Sequence, residues 1–430
     1  MELTSREREI PASTEQHLSE EAPHLARLTD DREVEFRLVR LVRHVRRVVS
    51  IVAAAALVLL GCGASPAESE PAAPPTARQP GSAVTGPAAV PQLQVAGDIV
   101  RDLEVPWGID FLPGGDALVT ERDTHRILRV TPQGQVTPVG EVPEAEGRGQ
   151  GGLLGLAVSP TFDADPLVYV YFSTTTENRI ERMTFDGTAF GPREPLVTGI
   201  PSAVSHNGGA LEFGPDGTLY AGTGDATDGP LAQDPASLAG KILRMSPDGT
   251  SAPGNPFPGS IVYSLGHRNV QGLAFDSLDR LWASEFGSDA WDELNLIRPG
   301  GNYGWPQTEG RGGDAQAAGW NGDAQAAGLG GDAQFMQPAA QWPVAEASPS
   351  GIAIVDDVVY MAALRGARVW QIPIQGDGTG EPTAAFEEQY GRLRNVEQAP
   401  DGSLWVTTSN RDGGGNPAPG DDRILRVTLS

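Results

Sequence analysis

The stretch "GGALEFGPDGTLYAGTG", Gly208–Gly224, decides the fold. Two glycines lead into a short apolar strand. Pro215-Asp216-Gly217 then marks a tight turn, and a second apolar strand follows. The unit returns as "WGIDFLPGGDALVTE" (107–121), "LGLAVSPTFDADPLVYVYF" (154–172), "QGLAFDSLDRLWASE" (271–285), "SGIAIVDDVVYMAAL" (350–364) and "RNVEQAPDGSLWVTTS" (394–409). Most copies continue to a third strand, as in "HRILRVTP" from His125, "GKILRMSPDG" from Gly240 and "DRILRVTLS" from Asp422. Six copies spaced by roughly 45 to 80 residues predict an all-β fold, a six-bladed β-propeller. A lone blade cannot bury both faces, so neighbouring blades must stack. The segments that precede each inner strand then converge on one mouth of a central channel.

Composition agrees with many short strands. The 430 residues include 54 Gly and 36 Pro, and long amphipathic helical patterns are absent. A formal net charge of −25 argues against a nucleic-acid partner. Lys241 is the only lysine, so nearly every cation is an arginine. Cys62 is the only cysteine, which excludes an intramolecular disulfide.

Cys62 closes the run "IVAAAALVLLGC", which follows Arg40, Arg43, Arg46 and Arg47. A basic segment and a short apolar run read as a secretory signal over residues 38–61, too short for a comfortable membrane span. "LLGC" resembles a bacterial lipoprotein box. That resemblance implies cleavage before Cys62, lipid on its thiol and an extracytoplasmic, membrane-anchored protein. Residues 1–37 read as an extension or a mis-called start. Residues 62–92, rich in Pro, Ala, Ser and Gly, read as a disordered tether. The propeller is expected over residues 93–430. The tandem "GDAQAAG" repeat at 312–334 is expected to be a solvated loop between the fourth and fifth blades.

The predicted channel mouth collects Gln150, His206, Asn207, His267, Arg268, Asn269, Gln271, Ser348, Ser350, Arg392 and Arg394, with Arg365 from "ALRG". Converging arginines in so acidic a chain suit a carboxylate-bearing ligand. Structural ion pairs with neighbouring Asp and Glu are the competing reading.

In order along the chain, "GQGGLLGLAVSP", "SHNGGAL", "GHRNVQGLAF", "DELNLIRPGGNYGWP", "SPSGIAI" and "GRLRNVEQAPDGSLWVTTSN" resemble the soluble pyrroloquinoline-quinone (PQQ) sugar dehydrogenases, the aldose sugar dehydrogenase branch more closely. The resemblance covers nearly all of residues 100–430 and implies a six-bladed propeller that oxidises an aldose at C1 to the lactone, with PQQ and Ca2+ as cofactors and an external electron acceptor. It implies His206 as general base, Gln150 beside it on the substrate side, and Arg268 with Asn269 at the reactive quinone. Arg392 and Arg394 would pair with cofactor carboxylates. The backbone carbonyls of Phe286 and Gly287 would bind calcium, with Asp292 nearby. The chain departs from the family at Arg365, where a cofactor-pairing lysine is usual, and at Glu285, where a neutral amide is usual. Glu285 is expected either to add a calcium ligand or to repel the cofactor. Two other functions compete: a cofactor-free binding propeller, and a calcium-dependent lactonase-like hydrolase needing acidic ligands on the axis.

If Cys62 is the first mature residue, mass spectrometry of membrane-extracted protein will find it di- or triacylated. An unmodified N-terminus upstream of Cys62 contradicts the anchor.

Overall fold

The computed structural model describes residues 90–311 and 335–430. The signal, Cys62, the tether up to residue 89 and the tandem repeat lie outside the described residues. Among the described residues, no helix is long and apolar enough to cross a membrane.

Six antiparallel sheets form the blades of a propeller, each numbered from its inner strand. The inner strands are Pro106–Phe111, Leu153–Val158, Leu211–Phe213, Val270–Phe275, Pro349–Val355 and Leu393–Gln398. Five of the six sequence copies begin on one of them, and the copy from Gly208 begins three residues ahead of Leu211–Phe213. Each blade also has a fourth strand that the repeat did not reveal: Val136–Glu141, Glu194–Pro201, Val262–Leu265, Ala340–Pro343 and Thr383–Ala385 in blades 1 to 5. In blade 6 that place is taken by Leu93–Val100, which pairs with the C-terminal strand Ile424–Leu429 and closes the ring. The strand Ala340–Pro343 pairs with Trp291–Leu296. The tandem repeat therefore falls inside blade 4, between its third and fourth strands. It does not join blades 4 and 5 as its position in the sequence suggested.

The glycine near the start of five of the six copies has a steric reason; in the blade 6 copy Asn395 stands in its place. A Cβ on Gly272 would stand 2.5 Å from the Ser350 carbonyl oxygen of the next inner strand, and one on Gly108 would stand 2.8 Å from the Leu156 nitrogen. Inner strands crowd around a narrow axis, and glycine at these positions lets their backbones approach. Between blades the apolar side chains interlock. Trp107, Leu154, Tyr169, Tyr171, Leu211, Leu219 and Leu243 form one buried cluster that crosses the first three blades. Removing so much apolar surface from water is the main stabilising contribution, at about 25 cal/mol per Å2.

The middle of the channel is acidic. Asp110, Glu212 and Glu397, from the inner strands of blades 1, 3 and 6, line a cavity of about 40 Å3. Glu212 and Glu397 also line a second space, with Phe213, Phe275 and Ile354. Burial raises the Asp110 carboxyl to about 6, against hydrogen bonds from the Val158 and Phe111 amides. Burial and then repulsion from neighbouring carboxylates raise Glu212 and Glu397 well above the usual range. The folded protein thus keeps protons that the unfolded chain releases above pH ~4. Stability falls as pH rises through the raised folded values, because the native state there binds more protons. Glu212→Gln removes one charge from the cluster. Its gain in melting temperature will be larger at pH 8 than at pH 5, and equal gains at both would refute the repulsion.

Candidate functional site

At the other end of the channel the pre-strand segments do converge. A cavity of about 630 Å3 is lined by Gln150, His206, Arg268, Phe286, Gly287, Asp292, Arg365 and Arg392, among others. A deeper recess of about 200 Å3 shares Gln150, Phe286, Leu364, Arg392 and Gly414 with it and adds Trp107, Arg122, Gln271 and Arg394.

His206 sits on the loop entering blade 3 with φ of 59°. Such left-handed backbone is uncommon for a non-glycine residue and is held here by its surroundings. Its amide donates to Gln150 Oε1 at 3.0 Å, and Gln150's own amide donates to the Val204 carbonyl. The ring is fixed from below. His206 Nδ1 lies 2.8 Å from Asp225 Oδ1. Asp225 is 1% exposed and also accepts from the Thr227 amide at 2.8 Å and from Trp305 Nε1 at 2.7 Å. A carboxylate so placed accepts a hydrogen bond from Nδ1–H and leaves Nε2 as an acceptor, with the ring still partly open to the cavity. Asp225 and Trp305 were missed by sequence reasoning, although Trp305 stands in "NYGWP".

Arg268 stacks over Trp305 at 5.3 Å and donates from Nη1 to the Phe286 carbonyl at 3.3 Å. Burial pulls its guanidinium below the usual arginine range, opposed by Asp225, Glu309, Glu285 and Asp292. Arg394 is more enclosed, at 7% exposure. It donates to Gln271 Oε1 at 3.0 Å and Ser350 Oγ at 3.1 Å, and it lies 5.5 Å over Trp107. Among the described residues, Arg268, Arg365 and Arg394 have no carboxylate within ion-pairing distance, whereas Arg392 is held by both oxygens of Asp412. Two guanidinium nitrogens, Arg268 Nε and Arg394 Nε, and the amide nitrogen Asn269 Nδ2 are buried without a hydrogen-bond partner.

Three expected residues sit differently. Asn269 is fully buried behind the cavity wall, where its Oδ1 accepts from the Gly208 amide and from Gln271 Nε2. Asp292 reaches the wall, but its oxygens accept from the Gly287 amide at 2.9 Å and the Ser348 amide at 2.6 Å. Burial raises its carboxyl, opposed by those amides and by Arg268 and Arg365. Glu285 does not face the cavity. Its Oε2 lies 2.6 Å from Nδ1 of His267, a fully buried ring that stacks on Tyr303 and bonds Ser264 through Nε2. Register explains this: Glu285 pairs across from Val270 on a second strand whose alternate residues turn inward. Among the described residues, no group of three or more His, Cys, Asp or Glu side chains could hold a metal ion. A cation here would depend on carbonyl and ligand oxygens.

Glu285→Ala leaves the buried His267 Nδ1 without its acceptor. Urea unfolding will show a loss of about 1–3 kcal/mol, the cost of an unsatisfied buried polar group. Unchanged stability would mean that this pair holds nothing together.

A family model described as Glucose / Sorbosone dehydrogenase matches residues 103–416. The chain is 32% identical over 357 residues to an uncharacterised protein of Synechocystis, a match covering 73% of this chain and 84% of that one. It is 37% identical over 251 residues to quinoprotein glucose dehydrogenase B of Acinetobacter calcoaceticus, covering 49% of this chain and 52% of that one. Among solved structures, the PQQ-bound form of aldose sugar dehydrogenase from Streptomyces coelicolor matches with 50% identity and a TM-score of 0.74, over 80% of this chain and all of that one.

Proposed function

The chain belongs to the glucose/sorbosone dehydrogenase family, and from that premise we propose that it is a PQQ- and calcium-dependent dehydrogenase that oxidises an aldose at C1 to the lactone. One observation carries the reading: a histidine oriented by a buried carboxylate and several arginines, two of them without an acidic partner, line a single cavity. The PQQ-bound state of the Streptomyces relative adds support.

PQQ is a tricarboxylate with a quinone, and the residues present fit it. Arg268, Arg365 and Arg394 lack carboxylate partners, and the buried Arg268 Nε and Arg394 Nε, on side chains that line the cavity and its recess, await acceptors. Arg392 would share its guanidinium between Asp412 and the cofactor. Ca2+ would take oxygen ligands from the Phe286 and Gly287 carbonyls, with Asp292 close by. When bound, PQQ supplies the hydride acceptor and Ca2+ the Lewis acid that polarises it.

The protein's part is orientation and proton transfer. His206 Nε2 takes the anomeric hydroxyl proton as C1 gives up its hydride and becomes the lactone carbonyl. Asp225 keeps the ring in the accepting tautomer and stabilises the imidazolium that forms. Gln150, bonded to the His206 amide, lies where it can meet a sugar hydroxyl. The external electron acceptor and the lipid anchor at Cys62, which holds the domain at the outer face of a membrane, belong to the same proposal.

Reconstitution of the purified domain with PQQ and Ca2+, followed by absorbance and by dye reduction with a panel of aldoses, tests the reading. Failure of the wild-type domain to bind PQQ would reject it and favour a cofactor-free binding propeller. His206→Gln will lower turnover by roughly 10²–10⁴-fold, the range for a positioned general base, while PQQ binding is kept. Normal turnover in this variant would move the base elsewhere.

A further inference from the structure

Residues reach the cavity and its recess from two kinds of place in the blades. One is the segment before the inner strand. The other is the position just past the second strand. Phe286 follows the second strand of blade 4, Leu281–Glu285, and Leu364 follows that of blade 5, Val358–Ala363. Both line the deep recess. The same position in blade 1, just past Ala117–Glu121, is Arg122, and it lines the recess too.

Arg122 is 6% exposed. Its Nε and Nη2 donate to Asp123 at 2.5 and 3.1 Å, while Nη1 makes no hydrogen bond among the described residues. Asp123 is a solvent-side partner, with its side chain 45% exposed against 8% for Arg122. An ion pair with one partner so wet holds its arginine weakly.

We propose that Arg122 is a third carboxylate-binding arginine, which with Arg392 and Arg394 makes the recess a seat for one carboxylate of the bound polycarboxylate cofactor. This rests on the PQQ reading above. Three guanidiniums share the recess with a single buried acidic side chain, Asp412. Burial, and then repulsion from Arg122 and Arg392, draw the Arg394 guanidinium down to about 9 against the pull of Asp412. Cations that repel one another across an enclosed space are relieved by an anion between them. Arg394 Nε, buried without a partner, is a donor ready for that anion.

The test is a titration of the calcium-loaded protein with PQQ, read by quenching of tryptophan fluorescence, since Trp107 lines the recess. Arg122→Gln will raise the Kd by about 10- to 100-fold, as expected for a lost hydrogen bond to a charged group. Arg122→Lys, which keeps the charge and loses the fork, will show a smaller rise. Asp123→Asn, a change at an exposed side chain, frees Arg122 from its competitor and will tighten binding. It also decides the matter if Arg122→Gln does not fold. A wild-type Kd in Arg122→Gln, or in Asp123→Asn where the glutamine variant fails to fold, overturns the role of Arg122 while leaving the PQQ reading intact. A wild-type protein that does not bind PQQ overturns both.

Discussion

Closure of the ring is the constraint on which the site depends. The strand Leu93–Val100 zips onto Ile424–Leu429 from Leu93 opposite Leu429 to Val100 opposite Ile424. Further backbone bonds extend the seam, from the Leu103 amide to the Asp422 carbonyl and back. Without this pairing blade 6 would keep three strands and an open edge. With it, six inner strands are forced around one axis, and residues far apart in sequence meet there. Arg394 of blade 6 reaches Gln271 of blade 4, 123 positions away. Trp305 reaches Asp225 across 80 positions. No local motif could hold these groups at such distances. The closed ring does so with backbone hydrogen bonds and interblade packing.

Within that frame Asp225 ties the two halves of the site together. One oxygen orients His206, and the other accepts the Trp305 indole, whose face carries Arg268. A shift of the blade 3 loop would therefore disturb both the proton acceptor and the anion-binding side. The strained backbone at His206 belongs to the same arrangement. It is held by the Gln150 side chain and by the Ala226 amide, which donates to the His206 carbonyl.

The inner and second strands were legible because glycine, apolar alternation and the Pro-Asp-Gly turn act locally. The fourth strands were not. Val136–Glu141 is mostly exposed and mixed in character, so its place is set by an edge partner and not by its own pattern. The convergence of Gln150, His206, Arg268, Arg365, Arg392 and Arg394 at one mouth followed from the repeat alone. Their partners did not follow. Asp412 on Arg392, Asp225 on His206 and Glu285 on His267 are contacts made through register and loop path, which single-sequence reading does not fix. Arg122 was not legible for a specific reason: it follows a second strand, Ala117–Glu121, and the repeat marks the segments before inner strands.

The charges along the axis are sorted rather than balanced. Arg394 and Glu397 lie on one inner strand, three residues or about 10 Å apart, yet one faces the recess and the other the acidic cavity. Gln271 stands between them, lining both spaces, accepting from Arg394 and donating to the Gly208 carbonyl. Direct pairing of the arginines with the channel acids would neutralise both and leave the mouth with no net attraction for an anion. Keeping them apart costs stability at each end, as the depressed Arg394 and the raised Glu212 and Glu397 record. A chain with net charge −25 thereby keeps a cationic pocket at one mouth of its channel. Salt screens exposed charges over a Debye length of about 8 Å, so at physiological salt the arginines and the few carboxylates that line the pocket govern what it holds more than the net charge of the chain does.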